Sequence, residues 1–122
     1  MKLTNGEIFE AKMALDKLIE KELPVLTSYK LAQIGLKINE QAGIIENVRN
    51  GLIRKYGEKD KDNPQGLRVK EGTENFTKFV EEFNELMMQE VEVVIEKIEI
   101  PAGELTIEPK TLMPLVKLIE VK

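Results

Sequence analysis

The sequence predicts an α+β domain that is mainly helical: a helical hairpin or bundle built on one long central helix, then a C-terminal β-hairpin and a short helix. Three observations carry that expectation. Apolar residues recur at helical spacing through two N-terminal stretches and again between Phe76 and Met87. The period then drops to two between Val91 and Ile100. Proline, glycine and hydroxyl residues punctuate the joins. A chain of 122 residues holds one core and hardly two, so residues 1–122 read as a single domain.

The first helix is expected over about 5–21. Thr4-Asn5-Gly6-Glu7 is a capping box, in which the Thr4 hydroxyl accepts from the Glu7 amide and the Glu7 carboxylate accepts from the Thr4 amide. Ile8, Ala11, Leu15, Leu18 and Ile19 follow on one side, and Pro24 stops the helix. A longer helix, about 28–56, is capped by Thr27 or Ser28 and ends at Gly57. Its seam is Leu31, Ile34, Ile38, Ile45, Val48 and Leu52, with Gln41 where another apolar residue is due. Leu36, Ile44 and Ile53 lie off that seam, and Gly35, Gly43 and Gly51 recur every eight residues. Each glycine costs about 1 kcal/mol relative to alanine in a helix, which close helix approach would offset.

A third helix, about 74–89, is capped by Thr73 or Asn75 and carries Phe76, Phe79, Val80, Phe83, Leu86 and Met87 on one face. The phenylalanines are expected to form the densest part of the core. A strand follows over about 91–100, its buried face changing phase near Glu96-Lys97, where a bulge would reconcile the halves. Pro101-Ala102-Gly103-Glu104 reads as the hairpin turn and residues 105–107 as the return strand. A last helix is expected over about 111–119, with Thr111 as cap and Leu112, Leu115, Val116 and Ile119 docking it.

Composition excludes several functions. The chain has no cysteine, histidine or tryptophan, which removes disulfides, thiolate chemistry and the commonest general base and zinc ligand. No apolar run approaches the ~20 residues of a membrane span, and the N-terminus lacks a signal-peptide pattern, so a soluble protein is expected. Residues 1–57 hold 9 Lys/Arg against 7 Asp/Glu, whereas residues 73–122 hold 5 against 11. With a net charge of −4 and no basic cluster, nucleic-acid binding is disfavoured.

Two stretches imitate chemistry. From Asp60 to Glu71, carboxylates at Asp60, Asp62 and Glu71 occupy the first, third and twelfth places of a calcium loop. Pro64 and Gln65 stand where an oxygen ligand and a glycine are required, so the run reads as a polar loop with Leu67-Arg68-Val69 extended. Glu81, Glu82, Glu85 and Glu90 form an acidic edge opposite the phenylalanines, a solvated face rather than an acid–base pair. No catalytic, cofactor-binding or metal residue is assigned.

Several runs are familiar as a set: Leu3-Thr4-Asn5-Gly6-Glu7, Lys21-Glu22-Leu23-Pro24-Val25, Asn50 to Glu58, Phe83-Asn84-Glu85-Leu86-Met87 and Glu90-Val91-Glu92-Val93. Their order resembles a family of small proteins of tailed bacteriophages and prophages, without an assigned function, in which helices precede a β-hairpin and a Pro-led C-terminal helix. The resemblance spans nearly the whole chain and implies a phage origin and action in the host bacterial cytoplasm or the virion. It transfers no site residues. The expected function is a non-enzymatic one through protein–protein contact, as a virion or assembly component or a small inhibitor of a host system; a nucleic-acid-associated accessory is the alternative. The candidate interaction surface is Leu36, Ile44, Ile53, Gly35, Gly43 and Gly51, with a phage structural or host protein, or a second copy in a two-fold dimer, as partner.

Overall fold

Thr4 begins the first helix as its sequence requires: its hydroxyl accepts from the Glu7 amide at 3.1 Å, and Glu7 Oε1 accepts from the Thr4 amide at 3.0 Å. In the computed structural model, which describes residues 1–59 and 66–122, the chain is α+β and mainly α. A short strand β1 (Lys2–Thr4) leads into α1 (Asn5–Ile19), and α2 (Val25–Tyr56) follows. Next come β2 (Glu58–Lys59), β3 (Leu67–Arg68) and α3 (Glu74–Met88). The chain closes with β4 (Glu90–Glu92), β5 (Ile98–Ile100), α4 (Pro109–Leu112) and β6 (Ile119–Val121).

The helix α2 has 32 residues, ~48 Å at 1.5 Å per residue, and it starts three residues earlier than the hydroxyl caps suggest. Pro24 is its N-cap and makes no side-chain cap bond. The Pro24 carbonyl accepts from the Ser28 amide at 2.9 Å. Thr27 is buried within the first turn, and the Ser28 hydroxyl turns back to the Leu23 carbonyl at 3.2 Å. Proline's fixed φ sets up the entry, so the Ser28 hydroxyl serves the junction instead.

The core is built around α1. Ile8, Leu15 and Leu18 are buried against Leu31, Ile38 and Ile45 of α2 and against Ile100, Leu115 and Leu118 from the C-terminal region. Helix α3 packs on α2 and α1 but has no fully buried residue. Phe76, Phe79 and Phe83 are each half-buried, with Phe79 and Phe83 stacked at 5.9 Å between centroids. The phenylalanine face is therefore the edge of the core, not its densest part; the aliphatic α1–α2 contact fills that place. Among the glycines, Gly35 is buried with an added Cβ 3.4 Å from Ile19 Cδ1, whereas nothing lies within 4 Å of one at Gly43. Inside the chain Gly35 thus has the nearest neighbour of the three, and that is a movable Ile19 methyl, while Gly51 meets only the end of the Arg54 side chain.

The strands pair in an order that local pattern does not announce. β1 and β4 are antiparallel, with Lys2 opposite Glu92 and Leu3 opposite Val91. A small antiparallel hairpin joins β2 and β3. β5 and β6 are parallel, with Ile98 opposite Ile119 and Ile100 opposite Val121. The expected phase change near Glu96-Lys97 is present: Val93 and Ile95 are buried before it and Ile100 after it. It separates two strands rather than bulging one, and the halves join different partners. Residues 105–107 form no strand, so the C-terminal return partner is β6. The last helix is correspondingly shorter than 111–119: Pro109 opens α4 after Glu108, Met113–Leu115 is a 3-10 turn, and Ile119 is in the ladder. Val116 is exposed, while Leu115 docks the segment. Asp60, Asp62, Pro64 and Gln65 lie outside the described residues.

Candidate functional site

One helix face cannot hold both apolar lines of α2. Leu31, Ile34, Gly35, Ile38, Ala42 and Ile45 point inward, leaving Tyr29, Leu36, Ile44 and Val48 in solvent; Leu36 is 73% exposed and Ile44 52%. The remaining candidate residues divide. Gly35 is buried and Ile53 half-buried, and at about 100° per residue Ile53 falls half a turn round the helix from Ile44. Gly43 and Gly51 are partly covered. Leu36 and Ile44 are therefore surface residues; Gly35 and Ile53 belong to the packed side.

The segment between β4 and β5 supplies the second wall. Val93 and Ile95 turn into the core, so Val94 between them turns out and is 79% exposed. Lys37 Nζ donates to the Val94 carbonyl, tying the segment to α2. Between them opens a groove of about 680 Å³, whose lining includes Lys30, Ile34, Leu36 and Lys37 on one side and Val94 and Ile98 on the other. Beyond Lys37 a smaller depression of about 250 Å³ continues past Glu40, Gln41 and Glu92. Lys97, Glu96 and Glu99 also line the main groove. Glu99 is engaged by Lys122 Nζ at 2.8 Å, and that hydrogen bond holds its carboxyl below the usual carboxylate range.

Of the six surface residues that the sequence singles out, Leu36 alone lines this groove; Val94 and the three lysines are what sequence reading missed. A signal existed: Val94 is the residue out of phase in the alternating run Val91, Val93, Ile95. The acidic edge of α3 is solvated at Glu81, Glu85 and Glu90, but Glu82 is half-buried, with Oε1 3.6 Å from Lys55 Nζ of α2. No three of the described Asp and Glu residues gather as metal ligands. No helix among the described residues is long and apolar enough to cross a membrane.

At the start of α1 lies a polar node. Asn5, 3% exposed, donates through Nδ2 to the Leu86 carbonyl at 2.8 Å and accepts at Oδ1 from Gln41 Nε2 at 3.3 Å. Its own amide donates to the Gln89 carbonyl at 3.0 Å. This gives Gln41, the break in the α2 seam, its reason. Its position joins three helices through one amide. The node is structural; the groove is lined by both apolar and charged side chains. Comparison of the chain with protein-family models, curated proteins and solved structures finds no match.

Proposed function

We propose that this chain is a non-enzymatic protein of a tailed bacteriophage or prophage that acts by protein–protein contact in the host bacterial cytoplasm or the virion. The role is that of an assembly component or a small inhibitor of a host system. The observation that carries the contact reading is the uncovered apolar set on α2, Tyr29, Leu36, Ile44 and Val48, of which Leu36 faces exposed Val94 across a groove. Large apolar groups held in water on a rigid helix are stabilised when a partner covers them. The phage origin rests on the sequence resemblance.

The test is affinity capture of the tagged chain from phage-infected bacteria beside a Leu36→Asp/Ile44→Asp double variant. Both positions are exposed, so the variant keeps the native circular dichroism spectrum. A protein retained by the wild type and lost from the variant supports the reading; equal recovery, or no retained protein, refutes it. Retention on heparin or DNA at low salt would favour the nucleic-acid alternative instead.

A further inference from the structure

We propose that the groove between α2 and residues 94–99 is the contact site, and that its occupant is an extended segment of a partner protein bearing alternating acidic and apolar side chains. This rests on the protein-contact reading above and names the partner chemistry.

Three features select that occupant. Part of the lining is apolar, and Leu36 and Val94 stand exposed on facing sides of the groove. Three lysines, Lys30, Lys37 and Lys97, line the groove with Glu96 and Glu99; Lys37 donates to the Val94 carbonyl and Glu99 is engaged by Lys122, which leaves Lys30 and Lys97 against Glu96. In a chain whose net charge is −4, this is a local positive excess, and it attracts carboxylates while the apolar part of the lining offers nothing to a phosphate backbone. The third feature is the backbone. Between β4 and β5 the amides of Val94, Glu96 and Lys97 donate to no acceptor among the described residues. An extended chain brings free carbonyls to such donors, as in strand addition; a helix arrives with its carbonyls already used. From Lys30 to Lys37 the helix axis runs ~10 Å, the length of about three residues of extended chain, so the recognised core is short.

The experiment titrates the 15N-labelled full chain with a blocked peptide of about six residues alternating glutamate and valine, followed by amide chemical shifts. Matched lysine–valine and glutamate–serine peptides are the controls. The expected result is saturable movement of amides in 30–37 and 94–97, weakened by salt and given by the glutamate–valine peptide alone. Lys30→Glu and Leu36→Asp, both at exposed positions, are each expected to weaken it about tenfold. No saturable movement, an equal response to the lysine–valine peptide, or movement indifferent to both substitutions overturns the proposal. So does a doubled solution mass that Leu36→Asp abolishes, which would give the groove to a second copy. In the capture experiment, a partner released by Ile44→Asp but not by Leu36→Asp refutes the groove and leaves the contact reading standing.

Discussion

At Asn5 a single side chain serves α1, α2 and α3, and its burial makes its bonds hard to replace with water. Asn5→Ala leaves the Leu86 carbonyl and the Gln41 amide without their partner, and is expected to cost about 2 kcal/mol in urea denaturation. A loss under about 0.5 kcal/mol would mean that the node contributes no more than a surface pair. Glu7, two residues on, joins the capping box to the C-terminal region. Its Oε2 accepts from Lys117, and that bond first, then the Thr4 amide, holds its carboxyl below the usual range. A carboxyl depressed in the folded state stabilises at neutral pH, and the contribution fades as pH falls through the unfolded carboxylate range near ~4.3 toward the lower folded value. Melting temperature is therefore expected to drop on acidification from about pH 6 to about pH 3, and to drop less steeply in Lys117→Met. Parallel profiles would show that Glu7 and Lys117 are not coupled in solution.

Helices are legible in this sequence because their signals are local, and pairings are not because they join residues far apart. The capping box, the Thr73 cap, which accepts from the Phe76 amide at 3.2 Å, and the phase change after Ile95 each need a few neighbouring residues to be read. β1 is three residues long and β6 lies beyond a proline-rich turn, so nothing near either says that Leu3 meets Val91 or Ile98 meets Ile119. The same limit applies to the groove. Leu36 stands out from its position on α2, but Val94 acquires meaning only when its segment is laid beside Lys37. Amphipathicity also overstates α3: aromatic residues along one face say which way a helix turns, not how deeply it sinks. The difference has a measurable consequence. Ile38, fully buried between α1 and α2, is expected to cost about 3–4 kcal/mol on truncation to alanine. Phe79, half-buried and resting on Phe83, should cost about 1–2 kcal/mol as Phe79→Ala, despite its larger side chain. Chemical denaturation of the two variants ranks them; a larger loss at Phe79 would return α3 to the centre of the core.

Over the whole molecule, α1 and α3 both pack on α2, and a side of it remains uncovered at Ile44 and Val48. Gly43 is a helix-interior glycine with nothing within 4 Å of an added Cβ, so Gly43→Ala should stabilise the isolated chain by about 1 kcal/mol. That gain is read from the urea midpoint. The exposed Ile44 beside it makes self-association the expected use of this side, most simply as a two-fold dimer with the two copies of α2 crossing there. At about 100° per residue, Ile44 lies some 80° round the helix from Leu36, which keeps the dimer side separate from the groove and lets both be occupied. Light scattering at tens of micromolar is expected to give twice the 13.9 kDa chain mass, and Ile44→Glu to return the single mass with the circular dichroism spectrum unchanged. A wild-type mass of 13.9 kDa would leave Ile44 to a foreign partner. A dimer that survives Ile44→Glu would move the axis elsewhere, with the open edges of the β1–β4 and β5–β6 pairs as the next surfaces to test.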